Sequence, residues 1–293
     1  MNSGPDNLDS ILRQTAKLTA SIFTLPAVAT PDWADRVAKR LGGLEGVHSA
    51  CVLIWLGSAG SAPAALEAAG VRVGSDEASS DTATLRVRSR IEREFRLGSL
   101  VPSRAARGGA QIGRLRSASP ASNGDGRGRL WQGLEVGEIV TASLLLEGVG
   151  AERVVECLVA LDREHGTRVE EVQGVLRSVL PILGTRAALA LGPGEAGQSP
   201  WLTDRETVVL EHLVAGLSVR LIAERIGRSP HTVHDHVKNL HRKLGASTRG
   251  ELVARALGWT ARGAALLSEP EERRARPSVQ LESKNSAVPV RVC

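Results

Sequence analysis

The sequence predicts two joined folds, an α+β layer followed by an all-α domain of four short helices. Three observations carry that prediction. Short β-branched apolar runs bounded by glycine fall between residues 48 and 164, which favours strands over helices. Helix start and stop signals then alternate at short intervals between residues 201 and 259. Between the two regions, LGPGEAGQSP at 191–200 places three Gly and two Pro in ten residues, which reads as a linker.

Composition sets the outer limits. The 293 residues suffice for two modest domains, and 37 Lys+Arg against 32 Asp+Glu leave a formal charge of only +5. With 42% hydrophobic and 24% charged residues the chain is ordinary globular material, which excludes a wholly disordered, collagen-like or coiled-coil protein. Five Trp, two Phe and no Tyr mean that Leu, Val, Ile and Ala must build the core. The three cysteines fit neither a disulfide framework nor a zinc ribbon, so a reducing compartment is expected. The start MNSGPDNLDS is polar and acidic where an export signal needs basic and then apolar residues. No uninterrupted apolar run approaches the roughly 18 residues of a membrane span. A cytoplasmic protein that does not cross a membrane is the expectation.

Along the front region, residues 8–24 set Leu8, Ile11, Leu12, Thr15, Leu18 and Ile22 at helical spacing before Pro26, so 1–29 is read as an amino-terminal helix. A second helix is predicted over 33–41. HSACVLIWL (48–56) is a buried strand, and the runs 139–148 and 153–164 form an antiparallel hairpin around Gly148 and Gly150. VEEVQGVLRSVLPIL (169–183) closes the layer as a helix. Residues 98–129 break the pattern. They carry Arg104, Arg107, Arg114, Arg116, Arg127 and Arg129 against the single acid Asp125, with almost nothing large and apolar to bury. The segment is expected to be a flexible, solvated insert. A patch for a polyanion is the competing reading, weakened by the lack of aromatic residues for bases to stack on. The tail 261–293 is charged and aperiodic and is expected to be disordered.

Residues 201–260 are more explicit. Thr203 with Glu206 three residues later is a capping-box signal, and Val209, Leu210 and Leu213 give the first helix its apolar stripe before Gly216. Ser218 caps a second helix that Gly227 stops. Ser229 followed by Pro230 opens a third, 230–244, ended by Gly245. Ser247 opens a fourth that runs to Gly258. Only Gly227, Arg228 and Ser229 separate the second helix from the third, which is helix-turn-helix spacing. On a wheel of about 100° per residue, Val233, Val237, Leu240 and Leu244 form one buried stripe. His231, His234, Asp235, Lys238, His241 and Arg242 occupy an arc from roughly 80° to 200° on the same wheel. Such a helix buries one side and offers the other to a DNA groove.

These residues resemble the LuxR/FixJ-type helix-turn-helix of bacterial transcription regulators. The resemblance covers 202 to about 257 and rests on Leu202-Thr203, Arg205-Glu206, Leu210, Gly216, Ser218, Ile222-Ala223, Ser229, Thr232-Val233, His236, Asn239, Lys243-Leu244 and Arg249. It implies a third helix in the major groove of double-stranded DNA and a fourth that supports a homodimer. It further implies base reading by His234, Asp235 and Lys238, with Thr232, Arg220 and Lys243 near the phosphates. Where the family has Asn-Lys-Glu, this chain has Val219-Arg220-Leu221, so phosphate anchoring by the second helix is weaker or Leu221 packs inward. Residues 30–190 are similar in pattern and position, without a diagnostic motif, to a GAF-type sensor domain whose ligand the sequence does not name.

Several side chains also admit plainer roles. Lys238 can meet guanine or a phosphate. Asp235 either accepts from cytosine N4 or turns along the helix toward Lys238 or Arg242. Glu206 and Arg249 are either an ion pair or two unrelated charges. His236 sits beside the apolar stripe and reads as half-buried. Five histidines gather in this domain, yet His234 and His241 lie about 10 Å apart along the axis, and no cysteine or second carboxylate completes a ligand set. No metal and no cofactor are expected. Cys157 reads as a small core residue, and the 162–166 run as a polar turn with no nucleophile beside it. No enzyme activity is expected. The function predicted is a sequence-specific transcription regulator, with RNA polymerase a further candidate partner. The rivals are a sensor or enzyme whose carboxy-terminal domain binds protein, and a σ-factor-like polymerase subunit.

Overall fold

The apolar run at 47–56 becomes β1 (Val47–Leu56), the second strand of a five-stranded antiparallel sheet in the computed structural model. The structure describes residues 5–57, 64–74, 77–103, 109–116, 126–146, 152–192 and 199–258. Its strands β1, β2 (Ala65–Val73), β3 (Gln111–Arg116), β4 (Val136–Leu146) and β5 (Arg153–Asp162) lie in the order β2-β1-β5-β4-β3. The predicted hairpin is present, with β4 and β5 paired from Val136↔Asp162 to Leu146↔Arg153. β1 then pairs with the other edge of β5.

Strand alternation sorts the core into two layers. Ala50, Val52 and Ile54 share one face with Val155, Cys157 and Val159, against α1 (Pro5–Phe23), α2 (Trp33–Leu41) and α5 (Val169–Leu191). Cys51, Leu53 and Trp55 share the other with Val154, Leu158 and Ala160, against Val87 and Ile91 of α3 (Glu77–Arg96) and against Leu100, Leu130 and Trp131. α5 is long and apolar enough to span a membrane, but half of its most apolar window is buried within the protein. It runs past the expected end at 183, through Pro181, to Leu191.

The structure adds three elements and corrects one expectation. β2, α3 and β3 carry no strong periodic signal: β2 is rich in Ala and Gly, and β3 is an edge strand with Arg at alternate positions. Gly70 of β2 has a packing reason, since a Cβ there would come within 2.0 Å of the Ala34 backbone in α2. The correction concerns 98–129, of which 104–108 and 117–125 lie outside the described residues, as does the tail 261–293. The described part is ordered by its arginines. Arg114 and Arg116 on β3 pair with Glu138 across the ladder at 2.8 and 3.4 Å. The one-turn helix α4 (Gly126–Arg129) aims Arg127 at Glu156 (2.6 Å) and Arg129 at Glu94 (2.8 Å). Glu156 is fully buried, and Trp55 Nε1 and Ser103 Oγ also donate to it, at 3.1 and 2.6 Å. Local composition cannot reveal such pairing, because Glu94, Glu138 and Glu156 all lie outside the insert and 22 to 35 residues from the arginines they meet.

Four helices follow: α6 (Asp204–Val214), α7 (Val219–Ile226), α8 (Pro230–Leu244) and α9 (Arg249–Ala256). Val209, Leu213, Ile222, Val233, Leu240 and Leu252 fill their core. Val28, from the loop between α1 and α2, is buried in the same cluster. Beside it the Leu202 N–H donates to the Ala29 carbonyl at 2.8 Å.

Candidate nucleic-acid interface

Three of the four helix starts in this domain are fixed by the residue that the sequence offers for them. Thr203 Oγ1 accepts the Glu206 N–H at 3.2 Å while Glu206 Oε2 accepts the Thr203 N–H at 2.8 Å, a complete capping box. Ser218 and Ser229 cap α7 and α8 by accepting from Leu221 and Thr232 at 3.3 and 3.1 Å. Gly227 closes α7 at φ 63°, a left-handed conformation that glycine adopts without steric cost. α9 is capped by Thr248, one residue later than expected, and Ser247 instead donates its N–H to Glu251 at 2.8 Å.

The three-residue turn therefore sets α8 firmly against α7, with Val233, Leu240 and Leu244 buried and Val237 half-buried, as the wheel predicts. On the opposite side, Ser229, His231, His234, Asp235, Lys238 and Arg242 are exposed. Thr232 is half-buried, with its hydroxyl 2.9 Å from Ser229 Oγ. His231 Nε2 lies 3.9 Å from Asp235 Oδ2. Arg242 donates to Asn239 Oδ1, and Lys238 has no polar partner among the described residues. His236 is half-buried, as read from its place beside the stripe.

Three expected positions differ. Lys243 does not join the exposed arc: its ammonium donates to Glu206 Oε2 and to the Trp201 carbonyl, both at 2.7 Å, and its side chain is only 17% exposed. Burial pushes the Glu206 carboxyl up, but hydrogen bonds from Lys243 and the Thr203 backbone outweigh it and hold the group below the ordinary range. The partner of Glu206 is thus Lys243, not Arg249, which donates to the Leu217 carbonyl at 2.7 Å. His241 is half-buried, with Nδ1 2.8 Å from the Ala246 carbonyl. Leu221 is 50% exposed and does not pack inward, while Arg220 pairs with Glu224 at 3.1 Å in the open. A surface pair of that kind contributes only about 0.3–0.5 kcal/mol and leaves Arg220 free to swing.

One further cation belongs beside this face. Arg228 sits exposed in the turn, one residue before the cap of α8. Its signal in the sequence was its place, inside the three-residue connection and next to the end of the helix that carries positive partial charge. The arrangement is a cationic, donor-rich ridge on a helix whose other side is locked in a core.

Known proteins match the same stretch. The family model for bacterial regulatory proteins of the luxR family matches residues 200–256. The transcriptional regulatory protein UhpA of Salmonella typhimurium is 48% identical over 65 residues, which are 22% of this chain and 33% of that protein. The probable transcriptional regulatory protein NarL of Mycobacterium tuberculosis is 36% identical over 100 residues, 32% of this chain and 46% of that protein. The chain thus spans between a third and a half of the curated relatives it matches. Among solved structures, SdiA of Escherichia coli aligns over 76% of this chain and 86% of its own at 13% identity, with a TM-score of 0.31. Residues 200–256 are a helix-turn-helix domain of the luxR family of bacterial regulatory proteins.

Proposed function

We propose that the chain is a cytoplasmic, sequence-specific transcription regulator that binds double-stranded DNA as a homodimer, with α8 in the major groove. The observation that carries this reading is the two-sidedness of α8: Val233, Leu240 and Leu244 are buried while His231, His234, Asp235, Lys238 and Arg242 face solvent. Arg220, Arg228 and Ser229 flank that edge as phosphate contacts. Net charge over 201–260 is only +3, from nine basic and six acidic residues, so one copy holds DNA weakly and two copies on paired half-sites are needed. Contact with RNA polymerase would follow from that position on DNA.

In this reading 191–200 is the linker and 30–190 the GAF-like sensor domain, supported by an antiparallel sheet with helices on both faces. The test is a mobility-shift titration of the full chain on its selected operator. A dimer neutralising about eight phosphates gives a slope of log K against log salt near −7. A slope near zero would remove the DNA-binding reading.

A further inference from the structure

The exposed edge of α8 holds one acid, Asp235, among the histidines and cations. A carboxylate there is repelled by the phosphates that the rest of the edge attracts. Two arrangements could relieve it within the protein, a contact with Lys238 or one with Arg242. Neither is present: Arg242 is engaged with Asn239, and Lys238 makes no ion pair among the described residues. The nearest charged or chargeable neighbour is His231, 3.9 Å away and one turn toward the start of the helix. Both side chains are open to solvent, 89% and 64% exposed, so the carboxylate is free to meet a base edge at the end of α8 that enters a groove first.

Resting on the DNA-binding reading, we infer that Asp235 is a specificity-determining residue that reads a cytosine in each half-site by accepting a hydrogen bond from its N4 amino group. The chemistry of the major groove leaves one good choice. Guanine presents only the acceptors N7 and O6, and thymine an acceptor and a methyl group. Adenine offers N6–H, but its N7 acceptor lies beside that donor and repels a second carboxylate oxygen. Cytosine alone offers a donor with no acceptor of its own next to it.

The test is selection of binding sites from a random-sequence duplex library by the full chain and its variants. The wild type selects a C·G pair at one position of each half-site. Asp235→Asn turns the acceptor pair into the acceptor-and-donor fork that fits adenine, and the selected pair shifts to A·T. Asp235→Ala flattens the preference, losing roughly tenfold or more in discrimination at that position, while its affinity for random DNA rises. Replacing that cytosine by N4-methylcytosine removes the groove-facing N–H but keeps the pairing one. It weakens the wild type by a similar factor and leaves Asp235→Ala unchanged. Both substitutions are at an exposed position, and circular dichroism checks that the helices are retained. If all three proteins select the same pair at every position, the inference is wrong although DNA binding stands. If the wild type enriches no sequence at all, the DNA-binding reading falls first.

Discussion

Lys243 Nζ stands 2.7 Å from Glu206 Oε2 and so ties the last turn of α8 to the first turn of α6. The same carboxylate closes the capping box on Thr203, so a single acid serves a helix start and an interhelical ion pair. Removing the lysine leaves that acid buried without its cation. Lys243→Met is therefore expected to destabilise the helical domain by about 3 kcal/mol, read as a lowered denaturation midpoint. Because Lys243 lies off the exposed edge of α8 that is proposed to meet DNA, the salt slope of binding should stay unchanged. A slope smaller by about one unit would instead mark it as a phosphate contact.

The exposed edge of α8 should give the complementary result. Lys238→Ala is expected to lower the salt slope by about one unit with no loss of thermal stability. Combined with His234→Ala it should abolish operator binding while the helical circular dichroism is kept. Unchanged operator binding would favour a carboxy-terminal domain that contacts protein instead.

Inside the front layer, Arg127 and Glu156 form a buried pair, with side chains 8% and 0% exposed. Arg127→Ala strands the carboxylate and should cost roughly 3–5 kcal/mol. Trp55 donates to the same acid, so its fluorescence should move with the variant. Converting both residues together, Arg127→Met with Glu156→Leu, should recover much of the loss in a denaturant titration.

Glu94 sets an acid limit on the same layer. Burial raises its carboxyl, but hydrogen bonds from Ser99, Arg129 and Arg93 prevail and bring it down from 4.5 to about 2. Because the folded value is below the unfolded one, the group's stabilising effect is complete above pH 4.5 and is lost as pH falls toward 2. Glu94→Gln should thus be less stable than the wild type at pH 7, with the gap narrowing below pH 4.5 and closing only as pH reaches about 2. A gap that is constant with pH would mean that the charge of Glu94 is not what matters.

What the sequence discloses is what is decided locally. Helix caps depend on residues three or four apart, and Thr203, Ser218, Ser229, Gly227 and Gly245 can be read directly. The buried stripe of α8 is equally local. Partners across the fold are not: the cation that meets Glu206 is Lys243, 37 residues on, and not Arg249. The wheel did hold a clue, since Lys243 lies at about 280°, off the polar arc. Arg127 and Arg129 looked like solvated charge because Glu156 and Glu94 sit 29 and 35 residues away. β2 and β3 are edge strands whose side chains are mostly only half-covered, which leaves the alternation of apolar residues weak.

The seat of Val28 among Leu202, Val209 and Leu244 bears on how this protein can be taken apart. A fragment cut at 199 would carry an uncovered socket where a side chain from 170 positions upstream belongs. Grafting these four helices onto a foreign receptor thus asks for a substitute plug as well as a compatible joint.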